Sequence, residues 1–201
     1  MSDALLFDLP DLPPPKRPPG PIVRAAEFSD ETWGEPGLYR WTLSRRWSSG
    51  PLCLFCGCNP SDANGLVDDM TIGREIGFAF RWGFGGMVKI NVEPLVSSKM
   101  GPLREWQDSD LPGVHLARTE NAKRAAAVMK LAEMRVAVWG DLLKPTHVGE
   151  FLDYLEKEAG GPVKWHCIAK NPSGSPKHPM ARGKSWVPDN VTPQPWSRPG
   201  G

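Results

Sequence analysis

Gly57-Cys58-Asn59-Pro60-Ser61 follows the apolar run Leu52 to Cys56, and a second cluster, Asn171 to Pro179, follows another apolar run far downstream. In an open parallel α/β sheet, loops leaving the carboxyl ends of neighbouring strands meet in one crevice, so these two turns are expected to face one ligand. Asn59 and His178 are the candidate site residues there, with Cys58, Pro60, Ser61, Asn171, Ser173 and Lys177 around them; a turn residue holding its own backbone is the alternative for Asn59. Asn91 closes a third apolar run, Val88 to Ile90, and one amide offers both a donor and an acceptor to a ligand edge. His178 stands beside Lys170, Lys177 and Arg182, a setting that suits oxyanions or phosphates.

The other candidates have plainer readings. Asp69 is expected to cap a helix beginning at Thr71, while Arg74 and Arg81, seven apart, share one face of it; substrate or metal contact by Asp68 and Asp69 is the alternative. Alternation along a strand sends Cys53 away from Cys56 and Cys58, so these thiols and Cys167 are expected to be reduced core residues, with no metal and no cofactor. Trp41, Trp47 and Trp82 belong to core or edge packing, base stacking being the alternative. His115 reads as a loop residue, His147 as the start of an exposed helix and His166 as a satisfied sheet residue.

Elements must position these groups. Tyr39 to Arg45 reads as an edge strand and Leu52 to Gly57 as a central one; a helix covers Thr71 to Trp82 and a strand Met87 to Val92. Arg118 to Met134 predicts a helix, Arg135 to Trp139 a strand, Pro145 to Gly160 an amphipathic helix and Val163 to Ala169 the last strand. Strands alternating with helices imply right-handed crossovers and a three-layer α/β/α sandwich around a mainly parallel four-stranded sheet. The expected domain is 23–184. Residues 1–22, with Leu12-Pro13-Pro14-Pro15-Lys16-Arg17-Pro18-Pro19-Gly20-Pro21, read as a disordered arm whose start, Leu5 to Leu9, could dock a partner. The tail 185–201 is expected to wrap the surface without regular structure.

The 201 residues carry 24 Lys plus Arg against 23 Asp plus Glu, a formal net charge of +1 that gives no whole-molecule pull toward nucleic acid or anionic membrane. Any nucleic-acid contact must then be local, and the expected set is Arg40, Arg45, Arg46, Lys170, Lys177 and Arg182 on one rim of the sheet. No stretch approaches the roughly 18 to 20 apolar residues of a bilayer span, so a cytoplasmic protein without a membrane partner is expected.

The order of these motifs resembles the uracil-DNA glycosylase superfamily. Gly57-Cys58-Asn59-Pro60 is similar to its first turn, Gly77-Phe78-Ala79-Phe80 to its helical face, Val88-Lys89-Ile90-Asn91 to its strand ending in Asn, and Val138-Trp139-Gly140 to its strand ending in Trp-Gly. Asn171-Pro172-Ser173-Gly174 and His178-Pro179 both look like its last motif. Glycosylases with a Gly-Gln-Asp-Pro-Tyr-His turn use its Asp and Tyr; Asn59 and Ser61 stand here instead, closer to the mismatch-specific type. The whole run from Tyr39 to Met180 is also similar to a bacterial and phage family known as domain of unknown function 1643, whose pattern includes Gly-Leu-Asn-Pro-Ser, Asp-Asp-Pro-Thr-Ile and Pro-Arg-His-Pro.

The glycosylase resemblance implies that the Asn59 side-chain carbonyl orients an attacking water, Asn91 reads a flipped base and His178 donates to the base oxygen as charge develops there. The expected function is therefore a nucleobase-recognising enzyme, a DNA glycosylase-like hydrolase acting on DNA or a nucleotide. Two alternatives stay open: a transferase that builds a modified base in phage DNA with the same pocket, and a non-catalytic module that binds a modified base.

Overall fold

An unbroken apolar run suits a strand covered on both faces, and Leu52–Gly57 (β3) and Gly86–Asn91 (β4) are buried almost throughout. A computed structural model describes residues 16–198, so the Leu5 to Leu9 motif lies outside the described residues. The remaining strands are β1 (Val23–Phe28), β2 (Arg40–Arg46), β5 (Met134–Ala137), β6 (Trp165–Cys167) and β7 (Gln194–Trp196). The helices are α1 (Met70–Arg81), α2 (Met100–Asp108), α3 (Pro112–Met129) and α4 (Pro145–Ala159).

All seven strands form one mixed sheet in the order β1-β2-β4-β3-β5-β6-β7, which corrects the expected four-stranded, mainly parallel sheet. The segment β4-β3-β5-β6 is parallel, with β3 between β4 and β5. β2 joins β4 antiparallel, β1 joins β2 antiparallel, and β7 closes the other side antiparallel to β6. The run at Tyr39 to Arg45 is thus an internal strand; β1, itself largely exposed, covers the edge it was expected to present.

Strand alternation sorts the core. Cys53 and Phe55 face α1 together with Ile72, Ile76 and Phe78, whereas Leu54 and Cys56 face α3 and α4 with Ala125, Leu152 and Leu155. All four cysteines are buried and free, and Cys53 does turn away from Cys56 and Cys58. Trp41 is likewise buried, in a third cluster with Tyr39 and Trp106, where no base could stack on it.

The helix ends follow local chemistry. Asp69 caps α1, its Oδ1 accepting from the Ile72 N–H at 2.8 Å. α3 begins at Pro112 rather than Arg118, because proline suits a first helical turn, and it ends at Met129, leaving a turn before β5. His115 therefore lies on a helix, not in a loop. α2 was hidden from sequence periodicity by Gly101 and Pro102 in its first turn; tertiary burial of Leu103 and Trp106 holds it.

The described parts of the two ends, from Lys16 and up to Arg198, are less detached than composition implies. Arg81 donates to the Lys16 carbonyl at 3.2 Å, and Ile22 packs against the α1-side core. The tail supplies β7, a correction to its expected irregularity: Trp196 packs edge-on against Trp139 with centroids 5.1 Å apart and donates from Nε1 to the Gly174 carbonyl at 3.0 Å. Trp196→Ala should lower unfolding free energy by about 3 kcal/mol, the usual scale for deleting a buried aromatic. Urea denaturation checks this, and a change below about 0.5 kcal/mol, typical of a surface site, would show the tail to be unpacked. Among the described residues no helix is long and apolar enough to cross a membrane.

Candidate functional site

Parallel strands deliver their following loops to one end of the sheet, and a cavity of about 290 Å³ lies there. Its walls include Asn59 and Cys58 after β3, Asn91 and Lys89 on β4, Asp69 and Thr71 at the start of α1, Ser97 to Met100 at the start of α2, and His178 from the loop after β6. Asn59, Asn91 and His178, far apart in sequence, thus share one cavity, together with Cys58, Ser61 and Asp69.

Asn59 is held by its amide nitrogen. Nδ2 donates to the carbonyls of Pro60 at 2.9 Å, Ser97 at 2.7 Å and Leu95 at 3.3 Å, which ties the turn after β3 to the segment entering α2. With Nδ2 committed, Oδ1 is the end of the amide left for a ligand or water. Asn59→Asp would turn a carboxylate oxygen toward those carbonyls, so a loss of about 2 kcal/mol is expected, more than Asn59→Ala produces. Urea denaturation of both variants checks the order.

His178 is fixed as a neutral donor. The Met180 N–H donates to Nδ1 at 3.1 Å, so the ring proton sits on Nε2. Burial pushes its pKa from the ordinary 6.5 down to about 4, with the Lys89 ammonium adding to the shift. Arg74 clamps the loop from below, donating to the Pro179 carbonyl at 2.5 Å and the Val187 carbonyl at 2.5 Å. Gly140, at φ +75°, lies 3.5 Å from the His178 Cβ when given a Cβ of its own. Because the folded pKa lies below the unfolded one, the unfolded chain binds the extra proton first; stability is full above pH 6.5 and falls as pH drops toward 4. His178→Asn should flatten that fall by on the order of 2 kcal/mol, read from urea midpoints across the window.

Asn91 is almost wholly buried, and its Oδ1 accepts no hydrogen bond among the described residues. The backbone behind it is anchored: Asn121 Nδ2 donates to the Asn91 carbonyl at 2.9 Å and the Val92 carbonyl at 3.1 Å. Gly57 makes room for this floor. A Cβ there would lie 2.6 Å from Lys89 Nζ and 2.7 Å from Asn91 Oδ1, so a larger residue would have to push these two side chains aside.

Several expected contacts stand elsewhere. Pro60 is buried beside the cavity, its carbonyl accepting from Asn59 and from the Ser97 N–H. Asn171 and Ser173 belong to a neighbouring turn, where Ser173 Oγ donates to Asp141 at 2.6 Å, and they do not line the cavity. Lys177 points to the Ser185 carbonyl at 3.4 Å; Lys170 and Arg182 are exposed. Arg45 and Arg46 are displaced most: their register opposite Met87 and Gly86 puts them at the amino end of the parallel strands, away from the cavity. Arg45 is fully buried, bonded to Asp68 at 2.5 Å and to the carbonyls of Asn64 and Ser44, which leaves nothing for a phosphate.

A lining group, Lys89, and the buried carboxylate behind it, Glu75, escaped the sequence reading. Lys89 is buried and pairs with the fully buried Glu75 of α1; burial drives the Glu75 carboxyl above its ordinary value although Lys89 opposes this. The signal was a charge inside each of two apolar patterns, Val88-Lys89-Ile90 and Ile72-x-x-Glu75-Ile76. Arg40, expected among the nucleic-acid contacts on the rim, is instead buried at the cavity end of β2. A separate network surrounds Glu93, whose carboxylate accepts from Trp106 Nε1 at 2.9 Å, Arg118 Nε at 3.0 Å and His147 at 2.8 Å. Burial alone would raise Glu93, but the His147 and Arg118 hydrogen bonds hold it below its ordinary range. His147 is therefore half-buried structure rather than an exposed helix start.

The arrangement is that of an α/β protein with a polar-floored cavity at the carboxyl ends of its parallel strands. The chain belongs to the family described as protein of unknown function (DUF1643), whose pattern it matches over residues 40–180. No curated protein and no solved structure is significantly similar to it.

Proposed function

We propose that the chain is a nucleobase-recognising hydrolase that cleaves the N-glycosidic bond of a nucleotide unit, in DNA or free. One observation carries this reading: a neutral histidine donor, an amide with an unpartnered acceptor and an amide carbonyl free for water line the same small cavity. Its volume of about 290 Å³ suits a single heterocycle with its sugar rather than a large ligand. In the reaction, the base–C1′ bond breaks as a water oxygen bonds to C1′, and the base leaves with the electron pair and is finally protonated. His178 Nε2–H donates to an oxygen of the departing base, where charge accumulates. Asn59 Oδ1 accepts from the incoming water; an amide is too weak a base to remove its proton early, so bond breaking leads. Asn91 supplies the edge contacts that select the base.

The test is a screen for base release from oligonucleotides and free nucleotides carrying ordinary, damaged and hypermodified bases. A released base, with His178→Ala slower by about 10²- to 10⁴-fold while ligand binding persists, is the expected result. Tight binding of a base without its release would make the chain a binding module. Transfer of a group onto the bound base would instead favour the modifying transferase.

A further inference from the structure

We propose a phosphate subsite within this cavity, formed by Arg40, Lys99 and the amino end of α2. The inference rests on the nucleotide reading above and narrows it, because it makes the phosphate part of what is recognised. Arg40 is only 2 % exposed and lines the cavity, yet among the described residues it makes no ion pair. Its Nη1 donates to the Ala63 carbonyl at 2.6 Å, while Nε has no acceptor. Asp69 and Glu75 act on it only through space, and burial pushes its pKa down to about 10. A desolvated guanidinium without a carboxylate is the arrangement that an incoming anion completes.

The amino end of α2 supplies the second half independently. This helix of nine residues has Lys99 at its N-cap with no side-chain cap and no acidic residue in its first turn; the Lys99 N–H donates to Ser97 Oγ at 3.2 Å and Pro102 carries none, so the Met100 and Gly101 N–H groups and the positive end of the dipole have no side-chain partner. Ser97, Ser98, Lys99, Met100 and Leu103 all line the same cavity as Arg40. Both halves are tied to one loop: Asn59 Nδ2 donates to the Ser97 carbonyl, the Ser97 N–H donates to the Pro60 carbonyl, and Arg40 grips Ala63. Lys99 is exposed and forms no ion pair among the described residues, so its ammonium can meet a phosphate at the cavity mouth.

Nuclear magnetic resonance titration of the full chain with inorganic phosphate tests the subsite. Saturable shifts are expected at the amides of Lys99, Met100, Gly101 and Leu103, with Lys99→Glu weakening the apparent affinity by about tenfold and Arg40→Gln abolishing it. Arg182→Gln should leave the titration unchanged. Because Arg40→Gln could perturb the fold, the exposed Lys99→Glu variant carries the decision on its own. Absence of saturable shifts in the wild type, or equal affinity in Lys99→Glu, would overturn the proposal. Displacement of phosphate by a nucleoside monophosphate but not by a single-stranded oligonucleotide identifies a monoester as the source; the reverse identifies a strand diester. Phosphate binding without base release from any substrate would leave the subsite standing and remove the hydrolase reading.

Discussion

Lys89→Met should cost about 3 to 5 kcal/mol of unfolding free energy, because it leaves the Glu75 carboxylate fully buried with no counter-ion. Glu75 already has one oxygen, Oε2, without a partner, and Arg40 acts on it only through space, so no direct contact remains to compensate the charge. The double variant Lys89→Met with Glu75→Leu removes both ions together. It should recover most of the loss, since a buried pair is often replaceable by apolar groups of similar volume. The single variant also has a pH signature. A carboxyl raised above its ordinary value binds its proton more readily folded than unfolded, so acid relieves the penalty and the defect shrinks as pH falls toward the raised value. Urea denaturation of the four members of the cycle at two pH values measures the coupling. Additive losses, with no recovery in the double variant, would show that the pair does not act as a unit. The stable double variant then separates stability from recognition, for Lys89 is the member of the pair that lines the cavity.

Arg45→Ala should be nearly as severe, about 3 to 5 kcal/mol, for a different reason. Its guanidinium bonds Asp68 and gathers the carbonyls of Ala25, Ser44, Asn64 and Val67, so truncation strands several acceptors where water enters poorly. Arg24 would keep only part of Asp68's compensation, through its own bond at 2.9 Å. Arg46→Ala, one residue on and partly exposed, should change stability by less than about 0.5 kcal/mol. Denaturation midpoints of the two neighbours therefore decide between a structural clamp and a surface phosphate contact. Equal, small effects with weakened nucleic-acid binding in both would reinstate the surface reading.

That pair shows where legibility in the sequence ends. Arg45-Arg46 in isolation reads as a basic patch, and nothing local says that β1 will cover β2 and that the loop at Asn64 to Asp68 will fold over one of the two side chains. The order of elements was legible because apolar periodicity and helix signals are local: Asp69 caps, Gly160 at φ +74° stops α4, and β3 carries its unbroken apolar run. The separation of Cys53 from Cys56 follows from strand alternation alone. The sequence by itself also determined that Asn91 stands near the carboxyl end of a strand and that Asn59 and His178 follow strands, which in a parallel core sends all three to one end.

What only the tertiary structure decided is the state and company of those groups. Which nitrogen of His178 holds the proton depends on the Met180 amide, and which end of Asn59 stays free depends on carbonyls nearly forty residues away. The edge strands β1 and β7 lie beyond local pattern because their pairing is settled by partners distant in the chain: β7 exists where Trp196 finds Trp139 and the Gly174 carbonyl. Charges at Lys89, Glu75 and Arg40 were visible as residues but not as buried ones, since burial depends on whatever the chain folds over them, and that cost of desolvation is what turns an ordinary lysine or arginine into part of a site.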